Sequence, residues 1–337
     1  MIKKITLLFL LIGGLWSTMH AQQDPMFTKY MFNSLAFNPA FAGSPEYMSV
    51  RLLYRNQWWA LDGAPTTESF TIHSPFKERV GLGLSVINDE IGATGSTSAF
   101  ASYAYRIPFG AGKLSIGLQA GVVNWRANWD DLQFKDPRSN DFVYFNEEPN
   151  SWLPNFGFGL FYYTPKFYVG ASVPRLVESD LTKEVPSEIS QWARLYRHFF
   201  FTAGAAIPLA GDAMIFKPSI LIKSVGLLGS FSADPSNASQ IGAPTEFDID
   251  VSVLFYDALW VGLSFRSAFE ARQFGGRSSF DSIDLWAAFY LQNGTRVGLA
   301  YDYTLNQLQS YVQGSLEVMV GYDFSYRAKK VNTPRYF

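Results

Sequence analysis

The stretch Phe247-Asp248-Ile249-Asp250-Val251-Ser252-Val253-Leu254-Phe255 decides the fold. Through Val253 it alternates apolar and polar residues, the two-residue period of a β-strand whose faces meet different surroundings. The period recurs along the chain. Leu114, Ile116, Leu118, Ala120 and Val122 alternate with Ser115, Gly117, Gln119 and Gly121. Phe156, Phe158, Leu160 and Tyr162 alternate with Gly157 and Gly159. Val297, Leu299, Tyr301 and Tyr303 stand against Arg296, Gly298, Asp302 and Thr304, and Phe216, Ile220 and Ile222 against Lys217, Ser219 and Lys223. A soluble sandwich would alternate in the same way. The residue types on the two faces separate the cases. One face is aliphatic and aromatic, while the other carries Asp, Glu, Lys, Arg and Gly. A wet or filled lumen inside a lipid-facing wall explains both.

Spacing strengthens this reading. Strands are expected near 48–58, 67–74, 80–87, 97–107, 113–125, 155–163 and 167–173, then near 198–207, 214–224, 247–255, 259–267, 279–291, 295–303 and 314–324. Short connections at 75–79, 108–112, 164–166, 208–213, 256–258 and 292–294 hold the Pro, Gly, Asp and Asn that tight hairpins use. Longer loops intervene, among them 126–154, 174–197 and 225–246. Outer-membrane barrels sort their loops in this manner, short in the periplasm and long outside. The expected fold is all-β, a transmembrane outer-membrane β-barrel of about 14 antiparallel strands over residues 48–326. An even count places both termini in the periplasm.

The rest of the chain fits that frame. Lys3 and Lys4 precede an apolar run from Ile5 to Leu15, too short for a membrane-spanning helix. Residues 1–21 therefore read as a signal peptide cleaved after Ala21. Residues 22–47 alternate too little for a strand and are expected to form a periplasmic or plug segment, and 327–337 a periplasmic tail. Of the 337 residues, 17% are charged, fewer than on ordinary soluble domains, and 17% are aromatic. A net charge of −2 argues against nucleic acid as a partner. Trp58, Trp59, Trp125, Tyr162 and Tyr163 fall at strand ends, where such rings suit a membrane–water boundary.

No catalytic constellation emerges, and neither a cofactor nor a metal is called for. There is no cysteine, and outside the leader only His73 and His198 remain among histidines. Gly157-Phe158-Gly159 has no following helix to make a phosphate loop, so its glycines are read as space in the lumen or a bend in the sheet. Glu246 is expected to face inward. So are Arg51, Arg55, Lys217, Lys223, Asp248, Asp250, Arg266, Asp284, Arg296, Asp302 and Glu317, whose mixed signs favour an internal salt-bridge network over a selectivity ring. The long loops carry Trp129, Phe134, Phe142, Tyr144, Phe145, Trp152 and Trp192. Such rings either bind a partner protein or pack together over the barrel mouth. By the alternation, Val251→Arg should disturb membrane assembly, whereas Ser252→Arg should be tolerated better if the lumen has room.

The N-terminal block Gln23-Asp24-Pro25-Met26-Phe27-Thr28-Lys29-Tyr30-Met31-Phe32-Asn33 continues to Phe37-Asn38-Pro39-Ala40-Phe41-Ala42-Gly43-Ser44. Tyr54-Arg55-Asn56-Gln57-Trp58 and Gly63-Ala64-Pro65-Thr66-Thr67 follow, then Asp89-Glu90-Ile91-Gly92, Tyr301-Asp302-Tyr303 and Gly314-Ser315-Leu316-Glu317. Together they resemble the PorP/SprF family of Bacteroidetes outer-membrane proteins along essentially the whole mature chain. Leu316 departs from the pattern, since family members often carry histidine there. The resemblance implies a non-enzymatic component of the type IX secretion and gliding machinery. Such a component would bind, export or anchor secreted surface proteins, adhesins among them, through their C-terminal domains. Its partners would be outer-membrane lipid, that cargo and other secretion components. The alternative from the barrel alone is a passive porin or small-solute transporter.

Overall fold

The computed structural model describes residues 27–128, 150–180, 194–211, 213–225, 245–269 and 280–324. The expected signal peptide (1–21) and periplasmic tail (327–337) lie outside these residues. Fourteen strands form the wall: β1 (Ser49–Asn56), β2 (Thr66–Lys77), β3 (Val80–Ile91), β4 (Thr94–Phe109), β5 (Gly112–Ala127), β6 (Asn150–Tyr163), β7 (Phe167–Val173), β8 (His198–Ala205), β9 (Met214–Val225), β10 (Glu246–Phe255), β11 (Leu259–Ala268), β12 (Ser282–Tyr290), β13 (Thr295–Thr304) and β14 (Ser315–Asp323). Each pairs antiparallel with its neighbours in sequence. β1 and β14 close the ring, with Ser49 opposite Asp323 and Asn56 opposite Leu316. Among the described residues no helix is long and apolar enough to cross a membrane. The chain crosses with strands, and closure leaves no wall edge for lipid to meet.

Exposure is inverted relative to a soluble protein. On the outward rows Leu118 is 56% exposed and Leu285 63%, while on the inward rows Asp250, Asp284 and Glu317 are at 0%. A water-soluble domain rarely buries so many carboxylates while displaying whole rows of leucines and aromatics. A barrel in lipid does both, because its apolar side chains face hydrocarbon. Leu316 lies on the outward row of β14, beside the inward Glu317.

The connection that differs most from the sequence reading joins β3 and β4. β3 runs on to Ile91 and β4 starts at Thr94, so the loop expected near 88–96 is a tight turn at Gly92-Ala93. Gly92 adopts φ +55°, a conformation that most side chains resist. The end of the barrel carrying the other long loops therefore holds one tight hairpin. The opposite, short-turn end receives both Ser49 and Asp323, the two ends of the wall.

The aromatic assignments also divide. Trp59 is exposed, and Phe76, Phe109 and Tyr256 stand out at the short-turn end. Trp125 and Tyr163, expected at the membrane boundary, are instead buried. Each falls on the inward parity of its strand, Trp125 with Val123 and Gln119, Tyr163 with Phe161 and Gly159. Trp125 packs with Ala127, Leu153 and Leu195, and Tyr163 packs beside Phe161.

The lumen also lacks the room that tolerance of Ser252→Arg requires. Ser252 Oγ donates to the Lys217 carbonyl at 2.8 Å and accepts from Trp260 Nε1 at 3.0 Å. An arginine there would displace both neighbours. Val251 points the other way and is 48% exposed on the outer wall. Val251→Arg should destabilise the inserted barrel by roughly 2–4 kcal/mol, the cost of a cation near mid-bilayer. Urea titration in lipid vesicles, with Val251→Leu as reference, measures it. Equal stability of the two variants would mean that Val251 does not face lipid.

Candidate functional site

The interior is occupied by the chain's own N-terminal segment. Residues 27–47 turn through three short helical stretches, Tyr30–Phe32, Ser34–Phe37 and Pro39–Phe41. Asn38 caps the last of these, accepting from Ala40 N at 2.9 Å, and Pro39 supplies a fixed φ at its first position. Such short helical pieces leave many backbone groups without internal partners. Inward polar side chains of the wall supply some of them. Ser172 Oγ donates to the Phe37 carbonyl at 2.7 Å, Ser115 Oγ to that of Ala40 at 2.7 Å, and Arg106 Nη1 to that of Gly43 at 2.6 Å. Asn33 is held on both sides of its amide, donating to Ser69 Oγ at 3.0 Å and accepting from Thr71 Oγ1 at 2.9 Å.

Inward glycines make the fit close. A Cβ at Gly117 would lie 2.1 Å from Ala40 N, and one at Gly159 would lie 2.0 Å from Asn38 Oδ1. A Cβ at Gly157 would lie 2.4 Å from the Pro174 carbonyl. The wall is bare where Asn38, Ala40 and the Pro174 carbonyl pass against it.

Two charged groups organise the lumen. Toward the long-loop end, Lys29, Arg55 and Arg266 stand among Asp248, Asp250, Asp284, Asp302 and Glu317. Lys29 Nζ donates to Asp284 Oδ2 at 3.0 Å and to Ser264, and lies 3.8 Å from Asp250. Arg55 reaches Asp302 at 2.9 Å and Thr28 Oγ1 at 2.9 Å. Arg266 bonds Asp248 at 3.0 Å and the carbonyls of Phe27 and Thr28 at 3.2 and 3.1 Å. Glu317 accepts from Thr28 N at 2.6 Å and Lys29 N at 3.0 Å. Burial pushes the Lys29 ammonium down, but Asp248, Asp284 and Asp250 outweigh it and hold its pKa above the ordinary lysine value. Lys223 pairs with Glu246 at 3.3 Å, also at this end.

The second group lies toward the short turns. Asp323 is shared by Arg51, at 2.7 Å, and Arg296. Lys217 sits 3.4 Å above the Trp260 ring, and Arg296 3.8 Å above that of Tyr290. Between the two groups, Phe32, Trp260 and Trp286 meet edge to face.

At the long-loop end, part of the connection 174–197 turns inward. Pro174 accepts from Gln119 Nε2 at 2.8 Å inside the wall. Ser179–Asp180 pairs with Arg194–Leu195, and Leu195 packs with the inward Trp125. This part of 174–197 thus packs against the inward face of β5.

Of the loop aromatics considered for partner binding, Trp129, Phe134, Phe142, Tyr144, Phe145 and Trp192 lie outside the described residues. Trp152 is in β6 rather than in a loop, because that strand begins at Asn150, and it is 68% exposed on the outward row above Phe156. His73 and His198 are not brought into a metal group; among the described residues no cluster fit for a metal ion exists. His73 Nδ1 accepts from Gly43 N at 3.4 Å, and His198 Nδ1 contacts the Tyr196 carbonyl at 3.1 Å.

Sequence reasoning missed Lys29 and Asp323. Asp323 was readable, since it shares the inward parity of Glu317, Met319 and Gly321. Lys29 carries no such signal, because its segment has no period. Lys29→Met would leave Asp250 and Asp284 facing one another without its charge, at a cost of about 3–5 kcal/mol. Urea unfolding in detergent should record that loss, with Lys29→Arg recovering part of it. An unchanged midpoint would mean that this ammonium does not hold the segment.

The family described as type IX secretion system membrane protein PorP/SprF matches residues 19–322. No curated protein matches the chain. Among solved structures, the chain is similar to the Acinetobacter baumannii outer membrane protein Omp33, with a TM-score of 0.45 and 10% identity over 83% of this chain and 98% of that one. It is also similar to the KdgM porin (TM-score 0.35, 9% identity, 82% and 99% covered) and to Salmonella typhi OmpF in complex with daunomycin (0.37, 10%, 82% and 97%). The match over nearly all of the described barrel is decisive, and this chain belongs to the PorP/SprF family of type IX secretion system membrane proteins.

Proposed function

We propose that this protein is a non-enzymatic outer-membrane component of the type IX secretion and gliding machinery that binds, exports or anchors secreted surface proteins, adhesins among them, through their C-terminal domains. The observation that carries this reading is the occupied lumen. Residues 27–47 lie inside the barrel with their backbone bonded to its wall, and part of 174–197 turns inward at the long-loop end. A barrel filled in this way serves as an anchored platform. Mixed-sign charges paired across the interior offer a solute no continuous path of one sign.

In this reading the short turns and both ends of the wall face the periplasm and the long loops face outward. Cargo would meet the long-loop end, where aromatic side chains can bury area against a folded domain. Periplasmic secretion components would meet the short-turn end.

Sidedness has a direct test. A protease site inserted within 129–149 should be cut on intact cells, and one at 208–213 only after the outer membrane is opened. The reverse pattern overturns the orientation. Partner retention is tested by isolating the barrel in mild detergent and by deleting its gene. A large surface protein should copurify, and it should disappear from the cell surface in the deletion strain. Free conductance in a planar bilayer, with no partner and an unchanged surface, would favour the porin reading instead.

A further inference from the structure

Both ends of the wall lie with the short turns, yet the segment that precedes β1 begins at the other end of the barrel. Glu317, which accepts from the backbone of Thr28 and Lys29, is the third residue of β14 counted from the long-loop end. Asp284, which accepts from the Lys29 ammonium, is the third residue of β12 counted in the same way. Asp302 accepts from Thr28 Oγ1 at 2.9 Å, and Arg266 donates to the carbonyls of Phe27 and Thr28. These two are likewise third from the long-loop ends of β13 and β11. Four consecutive strands therefore hold Phe27 to Lys29 at one level, close to the long loops. From there the chain descends. Ala40 lies against Gly117 and Ser115, and Ala42 passes Gly81, where a Cβ would stand 2.0 Å from its carbonyl oxygen. Glu46 pairs with Lys113. Gly81 and Lys113 are each the second residue of their strands, at the short-turn end. The segment traverses the lumen before the wall begins.

Charge fixes this direction. Lys29 ends among carboxylates and Glu46 at a lysine. A reversed segment would set Lys29 beside Lys113 and Glu46 among the carboxylates, leaving buried like charges together. Whatever precedes Phe27 must leave from its level. Five residues separate Phe27 from the expected cleavage point at Ala21. Fully extended they span about 17 Å at most, and the way back to the short turns runs past residues 30–47. The way out past the ends of β11 to β14 covers two residues of strand, roughly 7 Å. We infer that the amino terminus of the processed chain is delivered through the lumen to the long-loop end, where it forms part of the surface that a partner meets. Strand count alone sets both termini with the short turns. The direction of the segment separates them, since Phe324 stays at the short-turn end, its N–H donating to the Met48 carbonyl at 2.8 Å. Only the exposure of the amino terminus outside the cell rests on the orientation proposed above. A partner bound there would hold a chain end that continues directly into Thr28 and Lys29, so a pull on it would act on the central charge network.

The chain has no cysteine of its own, so a single introduced thiol reports a single place. The test labels full-length single-cysteine variants on whole cells with a maleimide carried on a polyethylene glycol too large to pass the outer membrane. Gln23→Cys reports the amino terminus, with Asp24→Cys as a second position should the first fail to fold. Ser139→Cys reports the long-loop end and Ala210→Cys the short-turn end. Retained heat-modifiable mobility establishes that each variant is folded. Gln23→Cys should label on intact cells at about the rate of Ser139→Cys, and Ala210→Cys only after the outer membrane is opened. Protection of Gln23→Cys on cells that label Ser139→Cys overturns the inference and leaves the orientation in place. If Ala210→Cys labels on intact cells while Gln23→Cys and Ser139→Cys both wait for opening, the orientation falls and the direction of the segment stands. A thiol at position 23 that reacts only in denatured protein overturns the inference as well.

Discussion

Hydrocarbon offers no hydrogen bonds, and this single fact shapes the rest of the molecule. Every strand of the wall must find two neighbours, so β14 has to return to β1. Closure sets an inside apart from an outside. Leucines and aromatics take the outer rows, and the charges that lipid would reject turn inward. Inside, those charges cannot be left unpaired either. The N-terminal segment answers the demand by bringing Lys29 to Asp284 and two backbone N–H groups to Glu317. The plugged lumen thus follows from the same constraint as the barrel.

Much of this was legible because lipid and lumen impose opposite chemistry on alternate residues. Strands such as Phe167–Val173 and Leu259–Ala268 stood out with ends within a residue of those observed. Where alternation continues past a polar run, as from Asn88 to Ile91, the strand outlasts its visible signal. Trp125 and Tyr163 were placed by residue type alone, and counting parity from Gln119 or Gly159 turns them inward. The interior segment was legible only as an absence of period. Its contacts reach strands hundreds of residues away, and no local pattern encodes them.

The inward glycines tie the segment to the wall in another way. At Gly117 and Gly159 the sheet carries no side chain because Ala40 and Asn38 occupy that volume. Wall and segment are therefore complementary surfaces of one packed interior. Close packing of this kind tolerates small volume changes poorly. The sequence displayed the glycines plainly, yet what stands against them became visible only in three dimensions.

The bonds from Thr28 to Glu317 and Asp302 span 289 and 274 residues of chain. Residues near the start of the chain thus complete their contacts with nearly the last to be made. Ends so far apart meet late, since loop-closure entropy has to be overcome before any contact rewards it. Until β13 and β14 arrive, Thr28 has neither carboxylate, and Lys29 waits in the same way for Asp284 on β12. Closing the wall and completing the central charge network are consequently one event in time. A barrel interrupted before its last strands would keep its N-terminal segment only partly fastened, and the finished ring is the one state in which it is tied at every point.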